Sequence, residues 1–278
     1  MQSLTVLLLA VLMGVLEGIT EWLPVSSTGH ILLLDGLLKI DRFLSADFYS
    51  FFIVFIQLGA VLAVLLLYFE RLNPFSRKKS AKERRSTARI WGLSVVGILP
   101  AAIFGIILDE WIESHFYSHP VIALALIVYG ILFIVLEQNQ RRKTRVSTVE
   151  ALSYKDAFCI GCFQVLSLIP GTSRSGSTIL GGLLNGVSRT AAAEFTFFMA
   201  IPVMLGATLV RALPLLDGSL TVKGAEWGIL LLGALSAFLV SLAVVRFLMD
   251  FVKKHSFLVF GWYRIILGII IFISLLFR

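Results

Sequence analysis

Six stretches of this chain, at about 48–69, 90–108, 119–137, 194–210, 227–249 and 258–277, are each apolar over close to the roughly 20 residues that a helix needs to cross a bilayer's hydrocarbon. Six such segments within 278 residues leave no room for a soluble core. The composition agrees: 58% of residues are hydrophobic and 15% charged, against about 25% charged in soluble domains. A transmembrane barrel would show short alternating segments instead, and the chain has none of that patterning. The expected fold is therefore an all-α polytopic membrane bundle, with residues 1–278 forming a single integral membrane domain.

The net charge of +7 would point to nucleic acid in a soluble protein, but its placement points elsewhere. Eight Lys and Arg fall in 71–89, five in 138–155, and two more are Lys253 and Lys254. Under the positive-inside rule these breaks are cytoplasmic, so the basic residues set topology and no nucleic-acid partner is expected. Cys159 and Cys162 sit in an apolar CIGC and are read as two buried thiols rather than a disulfide, redox or zinc pair. The opening MQSLTVLLLAVLMGVLEG has neither a basic start nor a small-residue cleavage site, and is read as mature protein.

Counting crossings then forces an unusual feature. With 138–155 and residue 194 both inside, 156–190 must cross an even number of times, yet it is too short and polar for two ordinary spans. Its centre, IPGTSRSGST, reads as the turn of a re-entrant helix–turn–helix, a backbone break tolerated at membrane depth only within protein or beside water. The first 35 residues have the same form around LPVSSTGH, dipping from the outside. Setting Pro24 on Pro170 matches Ser26 with Thr172 and Ser27 with Ser173. One residue further on, Asp47 falls on Glu194, Phe48 on Phe195 and Leu58-Gly59-Ala60 on Leu205-Gly206-Ala207. This is read as an internal repeat, about 1–137 and 156–278, of opposite orientation, in which discontinuous helices meet near the midplane.

The two breaks also hold the ionisable groups that are most costly to place in lipid. Glu17 and Glu21, four apart, share a helix face and suit a divalent cation, Mg²⁺ or Ca²⁺, or the tuning of a neighbouring acid or base. Ser26, Ser27 and Thr28 precede His30, and the three-residue spacing of Ser27 and His30 fits a nucleophile with its proton-transfer partner. The second break offers Gly171, Thr172, Ser173, Ser175 and Thr178 around Arg174. Turning backbone N–H groups, a helix N-terminus and a planar guanidinium together describe a phosphate cradle. Glu194, Arg189, Gln57, Gln164, Arg246 and Arg264 are read as snorkelling or satisfied bundle residues, and His115, His119 and His255 as interfacial.

LEGITEWLPVSSTGH together with GCFQVLSLIPGTSRSGSTILGGLLNGVSR closely resembles the signature regions of the undecaprenyl-diphosphatase family, the bacterial bacitracin-resistance proteins, and the resemblance extends over essentially the whole chain. It implies a multi-pass protein of the bacterial cell membrane. It also implies removal of the terminal phosphate from a C55 prenyl diphosphate, with the E-x-x-x-E segment at Glu17 to Glu21 and the P-G-x-S-R-S-x-x-T segment at Pro170 to Thr178. On that basis Arg174 and Ser173 hold the phosphates, and either Ser27 attacks with His30 moving the proton or water attacks with His30 as base. The competing reading is a lipid-carrier transporter or flippase, since inverted repeats with broken helices are transporter features. In both readings the site opens outward.

Overall fold

The computed structural model describes residues 2–40, 43–139 and 144–276. Among them there is no strand, only an isolated bridge between Val146 and Val187. The first half comprises α1 (Gln2–Thr20), α2 (Ser27–Leu38), α3 (Ala46–Leu67), a single turn α4 (Phe69–Leu72), α5 (Ala81–Phe116) and α6 (His119–Gln138). The second comprises α7 (Tyr154–Val165), α8 (Arg174–Leu184), α9 (Arg189–Leu216), α10 (Gly224–Lys254) and α11 (Leu258–Leu275). The helices long and apolar enough to cross a membrane are α3, α5, α6, α9, α10 and α11, the same six segments that the hydropathy marks out.

Their ends differ from the apolar limits because caps, not hydropathy, decide where a helix starts. The Ser80 hydroxyl accepts the Glu83 amide and the Glu83 carboxylate accepts the Ser80 amide, so α5 begins nine residues before its apolar run. Ser188 accepts the Ala191 amide and starts α9 at Arg189. At 1.5 Å per residue the 36-residue α5 is about 54 Å long, well beyond the ~30 Å hydrocarbon layer, so its polar first turns extend past the apolar span.

Helices α2, α7 and α8, of 12, 12 and 11 residues, are about 16–18 Å long and cannot cross. Between α1 and α2 lies the break at 21–26; between α7 and α8 a 3₁₀ turn, Leu166–Leu168, leads into the break at 169–173. The halves exchange partners: α1 packs along α10, α7 along α5, α6 on α11 and α3 on α9.

Glycine makes the exchanged contacts possible. A Cβ at Gly14 would fall 2.2 Å from Gly233 O, and one at Gly161 would fall 2.1 Å from Gly97 O, so α1–α10 and α7–α5 touch backbone to backbone. Gly161→Ala is therefore expected to force α7 off α5 and to cost about 1–3 kcal/mol. A clear fall in the thermal midpoint of the detergent-solubilised protein would register it; an unchanged midpoint would disprove the contact.

One expectation about side chains is corrected: Cys162 is exposed and Cys159 half-buried, both free, because α7 turns Ala157, Ile160, Gly161 and Gln164 inward and leaves the cysteine side facing out. Of the two readings of Arg264, snorkelling or satisfied within the bundle, the structure has the second: it is fully buried and donates to three backbone carbonyls. The remaining intramembrane charges pair away from the breaks, near the basic loops. Arg71 bonds Glu194 and Glu150, and Arg189 bonds Glu137. Arg246 is exposed.

Candidate functional site

The two breaks meet in a cavity of about 190 Å³. The first break supplies Glu21, Ser26, Ser27 and Thr28, and the second supplies Pro170, Gly171, Ser173 and Arg174. Gln57 of α3, Met204 of α9 and Tyr117, in the connection from α5 to α6, complete much of the wall. Tyr117 lies at the opposite end of α5 from the basic 71–89 segment, so the cavity reaches toward that opposite end of the bundle.

Both breaks end in the same strained conformation. Ser26, before α2, has φ 73°, and Ser173, before α8, has φ 71°. A non-glycine residue in that region costs on the order of 1–3 kcal/mol and persists only when its surroundings hold it. Ser26 and Ser173 are separated by the same interval as Asp47 and Glu194 and hold the same place before a short helix, so in backbone position Ser26 matches Ser173 rather than Thr172, and Ser27 matches Arg174.

Arg264 of α11 holds both breaks. Its guanidinium donates to Pro24 O at 3.1 Å, Gly171 O at 2.8 Å and Thr172 O at 2.9 Å, and lies 5.3 Å from the ring centre of Tyr129. Ser175 adds a direct link, its hydroxyl donating to Leu23 O at 3.1 Å. In a planar trans peptide the N–H points opposite to the carbonyl. Holding the Thr172 carbonyl at Arg264 thus turns the Ser173 amide the other way, away from Arg264.

Across the cavity Arg174 donates through Nε and Nη2 to Glu21 Oε1 at 3.2 and 3.1 Å, with Nη1 on Thr196 O at 3.1 Å. Its guanidinium stands 5.9 Å from the Trp22 ring centre. The other Glu21 oxygen accepts the Ser27 hydroxyl at 3.3 Å. One carboxylate therefore touches both the candidate nucleophile and the candidate phosphate-binding cation.

His30 does not pair with Ser27. Its Nδ1 donates to Ser26 O at 2.7 Å and its Nε2 meets the Tyr263 hydroxyl at 2.6 Å, the two rings lying nearly parallel. Three of the hydroxyls assigned to phosphate are turned into the protein. Thr172 donates to Leu166 O and Ile169 O, Ser175 to Leu23 O, and Thr178 to Arg174 O while facing Thr196. Ser173 caps α8 by accepting the Gly176 amide at 3.1 Å.

Glu17 is fully buried below this layer, beside Glu21, Gln57 and Arg174. Neither of its carboxylate oxygens has a hydrogen bond, and Ser26 Oγ is buried and unpartnered too. No group of three or more acidic, histidine or cysteine side chains stands ready for a metal among the described residues. The two carboxylates, the Gln57 amide and the Ser27 hydroxyl are nonetheless hard oxygen donors. That set fits a magnesium- or calcium-like cation whose coordination is completed by phosphate and water, and would give Glu17 the partner it lacks.

Tyr263 is the site residue that no motif announces, and the clamping role of Arg264 is likewise invisible in its sequence context. An arginine in the otherwise apolar 258–277 was the signal for the second; nothing local marks the first.

Comparison with known proteins places the chain among relatives. The family described as "Bacitracin resistance protein BacA" matches residues 10–270. A protein of Streptococcus thermophilus (strain ATCC BAA-250 / LMG 18311) called undecaprenyl-diphosphatase is 51% identical over 272 residues, covering 97% of this chain and 93% of that one. The undecaprenyl-diphosphatase of Enterococcus faecalis (strain ATCC 700802 / V583) is 48% identical over 94% of this chain and 95% of its own. Undecaprenyl-diphosphatase 1 of Clostridioides difficile (strain 630) is 49% identical over 97% and 96%.

Proposed function

The chain belongs to the bacitracin resistance protein BacA family, and from that we infer that it is an undecaprenyl-diphosphatase, a multi-pass hydrolase of the bacterial membrane that regenerates the monophosphate lipid carrier for cell-wall synthesis. The observation that carries its chemistry is the contact of Ser27, Glu21 and Arg174 across one cavity. Binding a phosphate lipid needs only a cation and amide groups; a hydroxyl held by a carboxylate is an addition that chemistry requires, and it favours hydrolysis over transport.

In the resting site Glu21 keeps Arg174 extended. An arriving diphosphate takes up the guanidinium fork, supported by the Ser173 and Ser27 amides at the starts of α8 and α2. This frees Glu21 to accept the Ser27 proton as Ser27 Oγ bonds to the terminal phosphorus and the bridging P–O bond breaks. Prenyl monophosphate leaves with the proton that Glu21 held; water then gives a proton to Glu21 as it attacks the phosphoserine, and Glu21 returns that proton to Ser27 Oγ as inorganic phosphate departs. Glu17 and Glu21 would hold the divalent cation, Mg²⁺ or Ca²⁺, which neutralises phosphate charge when bound. Two broken helices dipping toward the midplane from opposite sides, in halves of inverted orientation, account for the matched strain at Ser26 and Ser173 and for the exchanged packing.

The test is phosphate release from a C55 prenyl diphosphate by detergent-purified protein, with and without a chelator. Release that stops on chelation and returns with Mg²⁺ or Ca²⁺ is expected. Chelator-resistant release would remove the cation from the site, and no release under any metal would overturn the hydrolase.

A further inference from the structure

His30 corresponds by interval to Ser177, and each sits in the first turn of its short helix facing a tyrosine. Ser177 donates to the Tyr129 hydroxyl of α6 at 3.3 Å, and His30 Nε2 meets the Tyr263 hydroxyl of α11 at 2.6 Å. The two sites differ in what holds the carbonyl of the strained serine. In α8 the carbonyl of the strained serine, Ser173 O, is held by the Ser177 amide at 2.9 Å. In α2 the imidazole itself reaches Ser26 O, at 2.7 Å.

A carbonyl can only accept, so Nδ1 of His30 carries its proton; Nε2 of the neutral ring is then the acceptor of the Tyr263 O–H. Stacking of the rings, with centres 5.6 Å apart, fixes the imidazole plane. The order of contacts is thus Tyr263 O–H to His30 Nε2, His30 Nδ1–H to Ser26 O, and through the rigid peptide to the Ser27 amide, which must point the opposite way. A peptide on a left-handed serine does not hold that orientation unaided. In α8 the equivalent carbonyl, Ser173 O, is held by the Ser177 amide instead.

Resting on the diphosphatase reading, we propose that Tyr263 is a positioning residue for that reaction: it fixes the tautomer and plane of His30, and His30 aims the Ser27 amide at the phosphate instead of exchanging a proton with Ser27. The interaction joins positions 233 residues apart and supports a donor whose contribution is made in the transition state.

Tyr263→Phe keeps the ring and removes only the hydroxyl. It is expected to lower kcat for C55 prenyl diphosphate about tenfold with KM changed less than about twofold, the scale of one well-placed hydrogen bond. The double variant His30→Ala/Tyr263→Phe is expected to be no slower than His30→Ala, because both act through one contact. ¹⁵N-histidine spectra supply a readout independent of turnover. The chain has four histidines, and the His30 signals are identified by their loss in His30→Gln. They should show a protonated Nδ1 and an unprotonated Nε2, the latter shifting in Tyr263→Phe. A wild-type kcat in Tyr263→Phe, additive losses in the double variant, or unmoved His30 signals would each overturn the proposal while wild-type hydrolysis stands. Failure of the wild type to release phosphate would overturn the parent reading, and this one with it.

Discussion

Arg174→Ala is expected to reduce phosphate release about 10³-fold. Arg174 is the cation among the residues lining the cavity, and its three contacts, two to Glu21 and one to Thr196 O, hold its guanidinium in the cavity wall. Removing it takes away the bidentate donor and leaves Glu21 unopposed against an anionic substrate. Arg174→Lys keeps the charge but not the fork, and should recover about a tenth of the lost activity rather than all of it. Steady-state rates on prenyl diphosphate check both. An alanine variant within tenfold of wild type would place the phosphate elsewhere.

Glu21→Gln ranks second, with an expected fall in kcat of about 10²–10³. The amide keeps the shape of the carboxylate but can neither take the Ser27 proton nor balance Arg174. Since Glu21 touches both partners, its loss and that of Arg174 should overlap: the double variant is expected to be barely slower than Arg174→Ala alone. Strict additivity would mean that the residues work on separate steps. A Glu21→Gln enzyme within threefold of wild type would exclude the carboxylate as base and leave it as scaffolding.

The breaks and their charged residues were legible because lipid makes such residues stand out. Glutamates at 17 and 21 and an arginine amid hydroxyls at 174 have no cheap place in apolar segments, so sequence alone brings Glu21, Ser27 and Arg174 forward together. What each does there was less legible. Ser27 and His30 have helical spacing, yet the imidazole turns back to the carbonyl of Ser26, four residues before it, and reaches Tyr263 on another helix. Spacing fixes which residues can meet on one helix, not which rotamer a distant tyrosine selects. The hydroxyls of Thr172, Ser175 and Thr178 have the composition of a phosphate cradle, but backbone carbonyls in a dry interior claim them first. Arg264 was visible as a charge out of place, while its three carbonyl partners come from two segments that only the fold brings together.

The exchange of partners between the halves also sets a timetable for synthesis. Helix α1 leaves the ribosome first, but α10, along which it packs, emerges more than two hundred residues later. Until then the backbone carbonyls of Gly233 and Ala237, which fit against Gly14 and Gly18, do not exist for it. Helix α5 waits in the same way for α7. Neither half can close its own end of the cavity, and the arginine that clamps both breaks sits in the last helix of all. The catalytic centre is thus assembled in one late event, when α10 and α11 dock. A chain cut short between α9 and α10 carries every acid, hydroxyl and guanidinium of the Glu21–Ser27–Arg174 set but lacks the helix that clamps both breaks.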